Sequence, residues 1–498
     1  MKRLFLIISC LSVSFLTSAQ IDSFPVSAKR QTFIDAEIGG LIASGSRTPF
    51  WLQANQFGLV PKSSPAGTVR VGISERFGIS SIHPNRSISY GIQAVGNAAR
   101  TSTVLLPQAY LSLDLGRFSL WGGRRKEVIG LGDSTLTSGF YSWSGNALPI
   151  TKIQVGTNGF TPLGFTNGFV SIHTFFAHGW FANTDSVQGS YLHQKAFYIR
   201  IGRPNSRVRL TGGVLHNAQW GGRSGYLPPS RAKDGKMPSS FKDYLYVLTA
   251  SEGSDSNSQE LSDFDRINRV GNHLGSIDFS LETTIGKWEV MGYHQHPFED
   301  KSGVVFINFP DGLYGLRLLR RPTEAGGFQL RHILLEYFNT MSQSGAYVNT
   351  GTRYEGQDDY FNNYQYIDGW VQNRRVIGSP FIAYRSDLRP ERQNEHPEKR
   401  IWAIASNRVQ MGHVGFAGTI GRGVQWQTRL SISQHYGTHR HPFVQPVAQF
   451  SGAAWLTWPL GWLGGSELKT AIALDQGQLY ENTLGGWISV RKVFKTVK

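Results

Sequence analysis

Two adjacent segments of this 498-residue chain alternate with a period of two. Phe197, Ile199 and Ile201 oppose Tyr198 and Arg200. A few residues on, Val208, Leu210 and Val214 oppose Arg207, Arg209 and Thr211. Successive side chains of a strand point to opposite faces, so each segment reads as a strand with one apolar and one basic face. A soluble sheet can bury one apolar face. It has little use for the same pattern along a whole chain with Arg, Lys and His on the polar side. Repeated segments of about 10 residues of this kind suit a transmembrane β-barrel, apolar toward lipid and polar toward the lumen.

The alternation recurs from end to end. Val69, Val71 and Ile73 oppose Arg70, Gly72 and Ser74. Ile277, Phe279 and Leu281 oppose Asp278, Ser280 and Glu282. Thr428, Leu430 and Ile432 oppose Arg429, Ser431 and Ser433, and Ile488 and Val490 oppose Ser489 and Arg491. Phe328 to Phe338 is apolar on both faces near Ile333-Leu334-Leu335, which predicts a bulge or a phase slip. Roughly sixteen to twenty such segments can be drawn, and the even strand numbers of bacterial single-chain barrels point to 16 or 18. The expected fold is all-β, one transmembrane antiparallel barrel domain over residues 20–498.

The start of the chain predicts export. Lys2 and Arg3 precede an apolar run from Leu4 to Leu16, and Thr17-Ser18-Ala19 is a small-residue cleavage site, so residues 1–19 read as a signal peptide. The only cysteine, Cys10, leaves with it, which excludes disulfides and thiolate metal sites from the mature chain. Hydrophobic residues are 40% of the sequence, yet it carries 13 Trp, 19 Tyr and 30 Phe. A wall apolar at alternate positions, with aromatic girdles, accounts for both. The formal charge is +16, and +14 without Lys2 and Arg3. A basic lumen or rim attracts anions such as lipid phosphate or acidic polysaccharide. Nucleic acid is not an expected partner of an exported chain whose cations form no single block.

Few segments suggest chemistry. Gly130-Leu131-Gly132 and Gly421-Arg422-Gly423 lack the remaining spacing of a nucleotide loop, and no Gly-x-Ser-x-Gly elbow occurs. His294 with His296, and His439 with His441, could each offer two imidazoles to a metal, but neither pair has an identifiable third ligand. Asp255 to Ser258 lacks the glycine and the glutamate of a calcium loop. Asp358 and Asp359, if on a strand, would face opposite ways and could not flank one glycosidic bond. Ser240 can cap a short helix from Phe241 to Ala250, with Phe241, Tyr244, Leu245 and Leu248 on one side. The most distinctive loop runs from Tyr360 to Trp370. Its aromatics could stack on sugar rings while its amides and carboxylate bind hydroxyls, and Arg374 could pair with a uronic carboxylate. The candidate carbohydrate-binding residues are therefore Tyr360, Asn362, Asn363, Tyr364, Asp368, Trp370 and Arg374. The same aromatics could instead pack the barrel mouth.

Three ordered segments resemble the capsule assembly Wzi family of outer-membrane proteins. They are Thr48 to Gly58 (through Phe50-Trp51-Leu52-Gln53), Leu136 to Ile150 (through Ser144-Gly145-Asn146-Ala147), and Asn362 to Phe381, which ends in Ile377-Gly378-Ser379-Pro380-Phe381. The resemblance implies an 18-stranded outer-membrane barrel acting as a non-enzymatic surface lectin that helps organise capsular polysaccharide. It also implies no required cofactor and small periplasmic helices, among which Phe241 to Ala250 would fall. The expected partners are acidic surface polysaccharide and outer-membrane lipid, with the chain a monomer. The alternative is a porin or transporter with an anion-favouring lumen. One departure from outer-membrane strands, which commonly finish with a terminal aromatic, is that Phe494 is followed by four more residues.

Overall fold

The computed structural model describes residues 30–497 except 80–84, 184–185, 252–261, 263, 266–268, 321–325, 348–353, 355, 394, 396–401 and 422. The signal segment and Asp255 to Ser258 lie outside the described residues. Eighteen antiparallel strands close into one barrel. The first six are β1 (Gln31–Ala43), β2 (Ala66–Gly78), β3 (Arg86–Ala98), β4 (Thr103–Leu115), β5 (Phe118–Arg124) and β6 (Thr151–Thr157). Then come β7 (Val170–Trp180), β8 (Tyr191–Ile201), β9 (Val208–Trp220), β10 (Asn272–Ile285), β11 (Trp288–Phe298) and β12 (Gly312–Arg320). The last six are β13 (Phe328–Asn339), β14 (Val409–Ile420), β15 (Val424–Gly437), β16 (Pro442–Leu460), β17 (Ser466–Gly477) and β18 (Thr483–Val497). A two-residue piece, Thr161–Pro162, continues alongside β7 where β6 leaves off.

Closure comes from β1 against β18, with Ile34 opposite Phe494 and Gln31 opposite Val497. Lys495 to Val497 are thus the end of the last strand, and the Phe494 ring is exposed on the outer wall. Closing the ring removes every sheet edge, as a barrel in lipid requires.

The alternation places side chains as the sequence predicts. Phe197, Ile199, Ile201, Val208, Leu210 and Val214 are exposed on the outer wall, and Tyr198 is buried inside. The inward arginines are compensated rather than free: Arg209 pairs with Glu282 at 2.5 Å, and the Arg200 guanidinium lies 3.7 Å from the Phe160 ring centre. In β13 the register against β14 shifts between Leu330 and His332. After this bulge Leu334 and Glu336 are buried inside, while Leu335 and Tyr337 are exposed outside. The slip explains the loss of alternation in that strand and falls slightly upstream of the apolar run.

The start of β1, the end of β18 and the two-residue turns Gly116-Arg117 and Gly286-Lys287 share one end of the barrel. Every long connection leaves the other end: residues 44–65, 125–150, 221–271 and 340–408. Single-chain outer-membrane barrels have short periplasmic turns and long outer loops, so the long loops mark the outer end. The helix observed over Phe241–Thr249 belongs to the loop between β9 and β10. It lies at the outer end, not the periplasmic end implied by the resemblance. The cap is as expected: Ser240 and Asp243 form a reciprocal capping box, and Ala250, in the left-handed region, ends the helix one residue earlier than expected; the expected apolar side is split, Tyr244 packing with Val247 while Phe241 and Leu245 are exposed.

Three outer-end segments fold back into the barrel. Residues 125–150 run across its cross-section. Lys126 donates to Gln93 of β3 at 2.5 Å, and Lys152 in β6 pairs with Glu127 at 2.8 Å. Leu131 N–H donates to Asp278 of β10, and Tyr141 N–H to Gln295 of β11. Glu336 of β13 accepts from Ser138 N–H and Thr137 Oγ1, and Arg429 of β15 donates to Thr135 O. Residues 50–53 form a helical turn against β16 and β17, where Trp51 donates to Ser451 O at 3.1 Å and Phe50 N–H to Asp475 at 2.8 Å. Trp51, Phe140, Tyr141, Trp143, Trp370 and Phe381 share one buried cluster inside the ring. The wall satisfies its own backbone, so the hydrophobic core of this protein is the plug in its lumen.

Candidate functional site at the outer mouth

The aromatic–Asn loop belongs to that plug. Tyr360, Asn362 and Trp370 are buried. The Tyr360 hydroxyl donates to Asp311 at 3.0 Å and accepts from Asn308 at 2.6 Å. The Trp370 indole donates to Ser142 O at 2.8 Å and packs on Trp143 and Phe181. Asn362 Nδ2 is held by Asp359 at 3.0 Å. These three expose no ring face or amide to a sugar, which corrects their assignment as a binding platform. Asn363 is half-buried; its Oδ1 accepts from Gln365 N–H and Tyr366 N–H, turning the chain, while its Nδ2 meets Asn272. Tyr364 is half-buried between two guanidinium groups, Arg231 at 4.7 Å and Arg440 at 4.9 Å, with its edge on Trp402. Asp368 is half-buried and Arg374 is exposed.

Asp358 and Asp359 sit in a loop, not on a strand. Asp358 accepts from the hydroxyls of Ser302 and Ser344, and Asp359 from Asn362 and Asn407. Burial and the nearby Asp300 carboxylate push Asp358 above the usual carboxylate range. Asp358 thus ties to the turn Lys301–Val304, and Asp359 to Asn362 and Asn407 of its own connection. His294 stacks on Tyr314 and His296 on Phe306, both at 4.1 Å. Among the described residues no three His, Cys, Asp or Glu converge as metal ligands.

Of the residues expected to bind sugar, Arg374 lies in a cleft of the mouth of about 1410 Å³. Loops far apart in sequence build it. Arg374 follows Asn373, and both take left-handed backbone in the tight turn joining Val371–Gln372 to Arg375–Val376. Arg375 points back into the plug, donating to Gln53 Oε1 at 2.9 Å and Val60 O at 2.6 Å. Burial lowers it to about 10, so it stays charged at neutral pH. Lys62 contacts both Asp387 oxygens at 2.7 and 2.8 Å and donates to Arg374 O at 2.7 Å. Burial lowers its ammonium to about 8, against the opposing pull of Asp387. Arg47 pairs with Asp475 at 2.8 Å and covers the Tyr480 ring at 4.0 Å. Arg389 spends its donors on backbone, Tyr480 O at 2.7 Å and Gly477 O at 2.8 Å. Arg100 is exposed in the turn between β3 and β4. Six cations line the cleft against three carboxylates, Asp387, Glu391 and Glu481. An open, polar, net-positive cleft on rigid backbone can hold an extended anionic chain by charge-assisted hydrogen bonds.

Arg47, Lys62, Arg100 and Arg389 were not singled out in the sequence. They are single cations spread over three connections, with no local motif. The one available signal is that Arg47 and Lys62 bracket the aromatic segment that enters the plug.

No known family profile matches the sequence, and no functionally curated protein does either. Among solved structures, the chain is similar to Wzi of Escherichia coli, an outer-membrane protein involved in group 1 capsule assembly and described as a carbohydrate-binding β-barrel. The two align over 92% of this chain and 83% of that one, with 15% identity and a TM-score of 0.56. OccK2 of Pseudomonas aeruginosa, solved with glucuronate, aligns over 94% and 98% at 9% identity with a TM-score of 0.46. OccAB4 of Acinetobacter baumannii aligns over 95% and 100% at 8% identity, also with a TM-score of 0.46. The likeness to Wzi shows an outer-membrane β-barrel fold.

Proposed function

We propose that this protein is a non-catalytic lectin of the outer membrane that binds acidic surface polysaccharide at its outer mouth and holds it at the cell surface as part of capsule assembly. The carrying observation is the basic cleft above a filled lumen. The solved Wzi barrel is described as carbohydrate-binding, which agrees with that reading. The inward segments favour it over the porin alternative, because residues 125–150 bridge strands from β3 to β15 and their aromatics pack the interior. In this reading the chain works as a monomer and its mature form begins after a cleaved signal peptide.

Soluble polyuronate and neutral dextran, offered to the purified protein in micelles, provide the test. Polyuronate should bind in a salt-sensitive way and dextran should not. Arg374→Ala should weaken binding by up to about fivefold, the scale of one exposed ionic contact of 0.2–1 kcal/mol. Equal binding of both polymers, or no binding of polyuronate, would overturn the lectin reading. Large steady conductance of the parent protein in a planar bilayer would favour the porin.

A further inference from the structure

One sector of the outer wall departs from the rest. Along β7 to β11 the outward positions in the rim-side half of the wall include His178, His193, His216, His273 and His296, with Trp180, Tyr191, Trp220 and Phe298 at the rim itself, instead of aliphatic residues. Their direction follows from strand parity: His193 shares a face with exposed Phe197 and Ile199, and His216 with exposed Val214. Even so, His193, His216, His273 and His296 are buried, because chain returning from the rim covers them on the outside.

Two pieces form the cover. The helix Phe241–Thr249 lies across β8 and β9. Its Tyr244 hydroxyl meets His193 Nδ1 at 3.3 Å, its Tyr244 ring lies tilted 5.1 Å from Trp220, and its Leu248 carbonyl accepts from outward-facing Lys195 at 2.5 Å. The turn Lys301–Val304, capped by Asp300, and the residues after it lie over β11. There His296 Nε2 meets Gly303 O at 3.0 Å beneath the Phe306 ring.

The cover hides polar groups and presents apolar ones. Tyr244 and Val247 of the helix face the wall, whereas Phe241, 78% exposed, and Leu245 one turn later face away. From the second piece Val304, Val305, Ile307 and Phe309 are exposed, Phe309 by 61%. Both pieces rise from neighbouring strands and continue the apolar belt marked by Phe279 and Leu281 below them. An amphipathic segment placed there buries its apolar face about 5–10 Å into the head-group boundary.

We infer that the helix Phe241–Thr249 and residues 304–309 form an apolar collar embedded in the outer leaflet, with lipid acyl chains as the partner of Phe241, Leu245 and Phe309. Position selects lipid as the occupant: the collar lies outside a closed membrane wall and is continuous with its lipid-facing belt. It spans β8 to β12, whereas the basic cleft opens over the β1–β2, β3–β4 and β17–β18 connections, on the far side of the ring. The barrel is thereby gripped by the membrane on one side and presents its cleft on the other. This inference does not depend on what the cleft binds.

Site-directed spin labelling tests it in lipid vesicles. In a Cys10→Ala background, a nitroxide is attached at Phe241→Cys, Leu245→Cys or Phe309→Cys. Phe279→Cys on the mid-wall and Tyr347→Cys in an exposed outer loop serve as references. Collar labels should resemble the Phe279 reference, with several-fold greater access to oxygen than to a water-soluble nickel chelate. Access matching the Tyr347 reference at both Phe241 and Phe309 would overturn the collar. Dipolar broadening between labels on two copies would overturn lipid as the occupant. Using two independent collar positions keeps the test valid if one substitution misfolds.

Discussion

Trp370→Ala separates a plug aromatic from a sugar-binding aromatic. The Trp370 ring is fully buried, packs on Trp143 at 6.2 Å and Phe181 at 5.7 Å, and donates to Ser142 O at 2.8 Å. Truncating such a side chain costs about 3–5 kcal/mol in packing. The lost indole hydrogen bond adds about 1 kcal/mol and leaves the Ser142 carbonyl unpaired. The wall does not share this loss, because its strands are paired with each other and closed by β1 against β18. The substitution should therefore shift the opening equilibrium of the plug by about 4 kcal/mol, close to a thousandfold at 1.4 kcal/mol per factor of ten. Amide exchange in detergent micelles reads that shift segment by segment. Residues 129–150 and 359–384 should exchange 10²- to 10³-fold faster, on the order set by that energy, while β1 to β18 stay protected. An acceleration under about tenfold, or one shared equally by the strands, would refute the plug as a separate cooperative unit.

Three further outcomes follow from the same geometry. Lys62 carries its charge below about 8 and loses it above, so polyanion affinity should fall as pH rises from 7 to 9 and Lys62→Arg should flatten the fall; an equal slope in both proteins would remove Lys62 from the site. Glu336→Ala leaves Ser138 N–H, Thr137 and the Tyr293 hydroxyl without their acceptor, at about 1–3 kcal/mol for each group stranded, and limited proteolysis should then cut within residues 129–150 of an otherwise intact barrel. Trp370→Ala should also weaken polyuronate binding, although the indole is out of reach of ligand, and Trp370→Phe should restore much of it by refilling the space; full affinity in Trp370→Ala would uncouple plug and cleft.

What could be read in the sequence was what each strand must satisfy alone. Lipid on one side and a polar inner lining on the other impose a period of two on the crossings, so Phe197 to Val214 declare their faces without knowledge of any partner. The β13 slip was visible because a bulge reverses that period within a single strand. The Ser240 cap was visible because its partner Asp243 is three residues away. Which end of the barrel holds that helix was not, since it depends on counting every crossing before it. The fate of Tyr360 and Trp370 was hidden for another reason. Aromatics beside amides have one composition whether they stack on a sugar or fill a lumen, and only contacts such as Trp370 with Ser142, 228 positions apart, decide. The cleft was dispersed still further, its cations coming from three connections: Arg47 and Lys62 from residues 44–65, Arg100 from the β3–β4 turn, and Arg374 and Arg389 from residues 340–408.

The cleft and the plug are one construction. Lys62 follows the segment that carries Trp51 into the lumen, and its ammonium is fixed by Asp387 and the Arg374 carbonyl. Asn373 and Arg374 form the turn of a hairpin whose strand residues, Val371, Gln372, Arg375 and Val376, are buried. Arg375 ties that turn to Gln53 and Val60 of the first inward segment. The basic groups are therefore mounted largely on the plug, not on the wall. A pore would need to displace this packing and would scatter its own cations in doing so. A surface binder gains from it, because side chains anchored to buried aromatics and to each other's carbonyls lose little further freedom when an anionic chain arrives. Filling the lumen thus holds the mouth in shape, and the eighteen-stranded wall serves to carry that mouth to the outer face of the membrane.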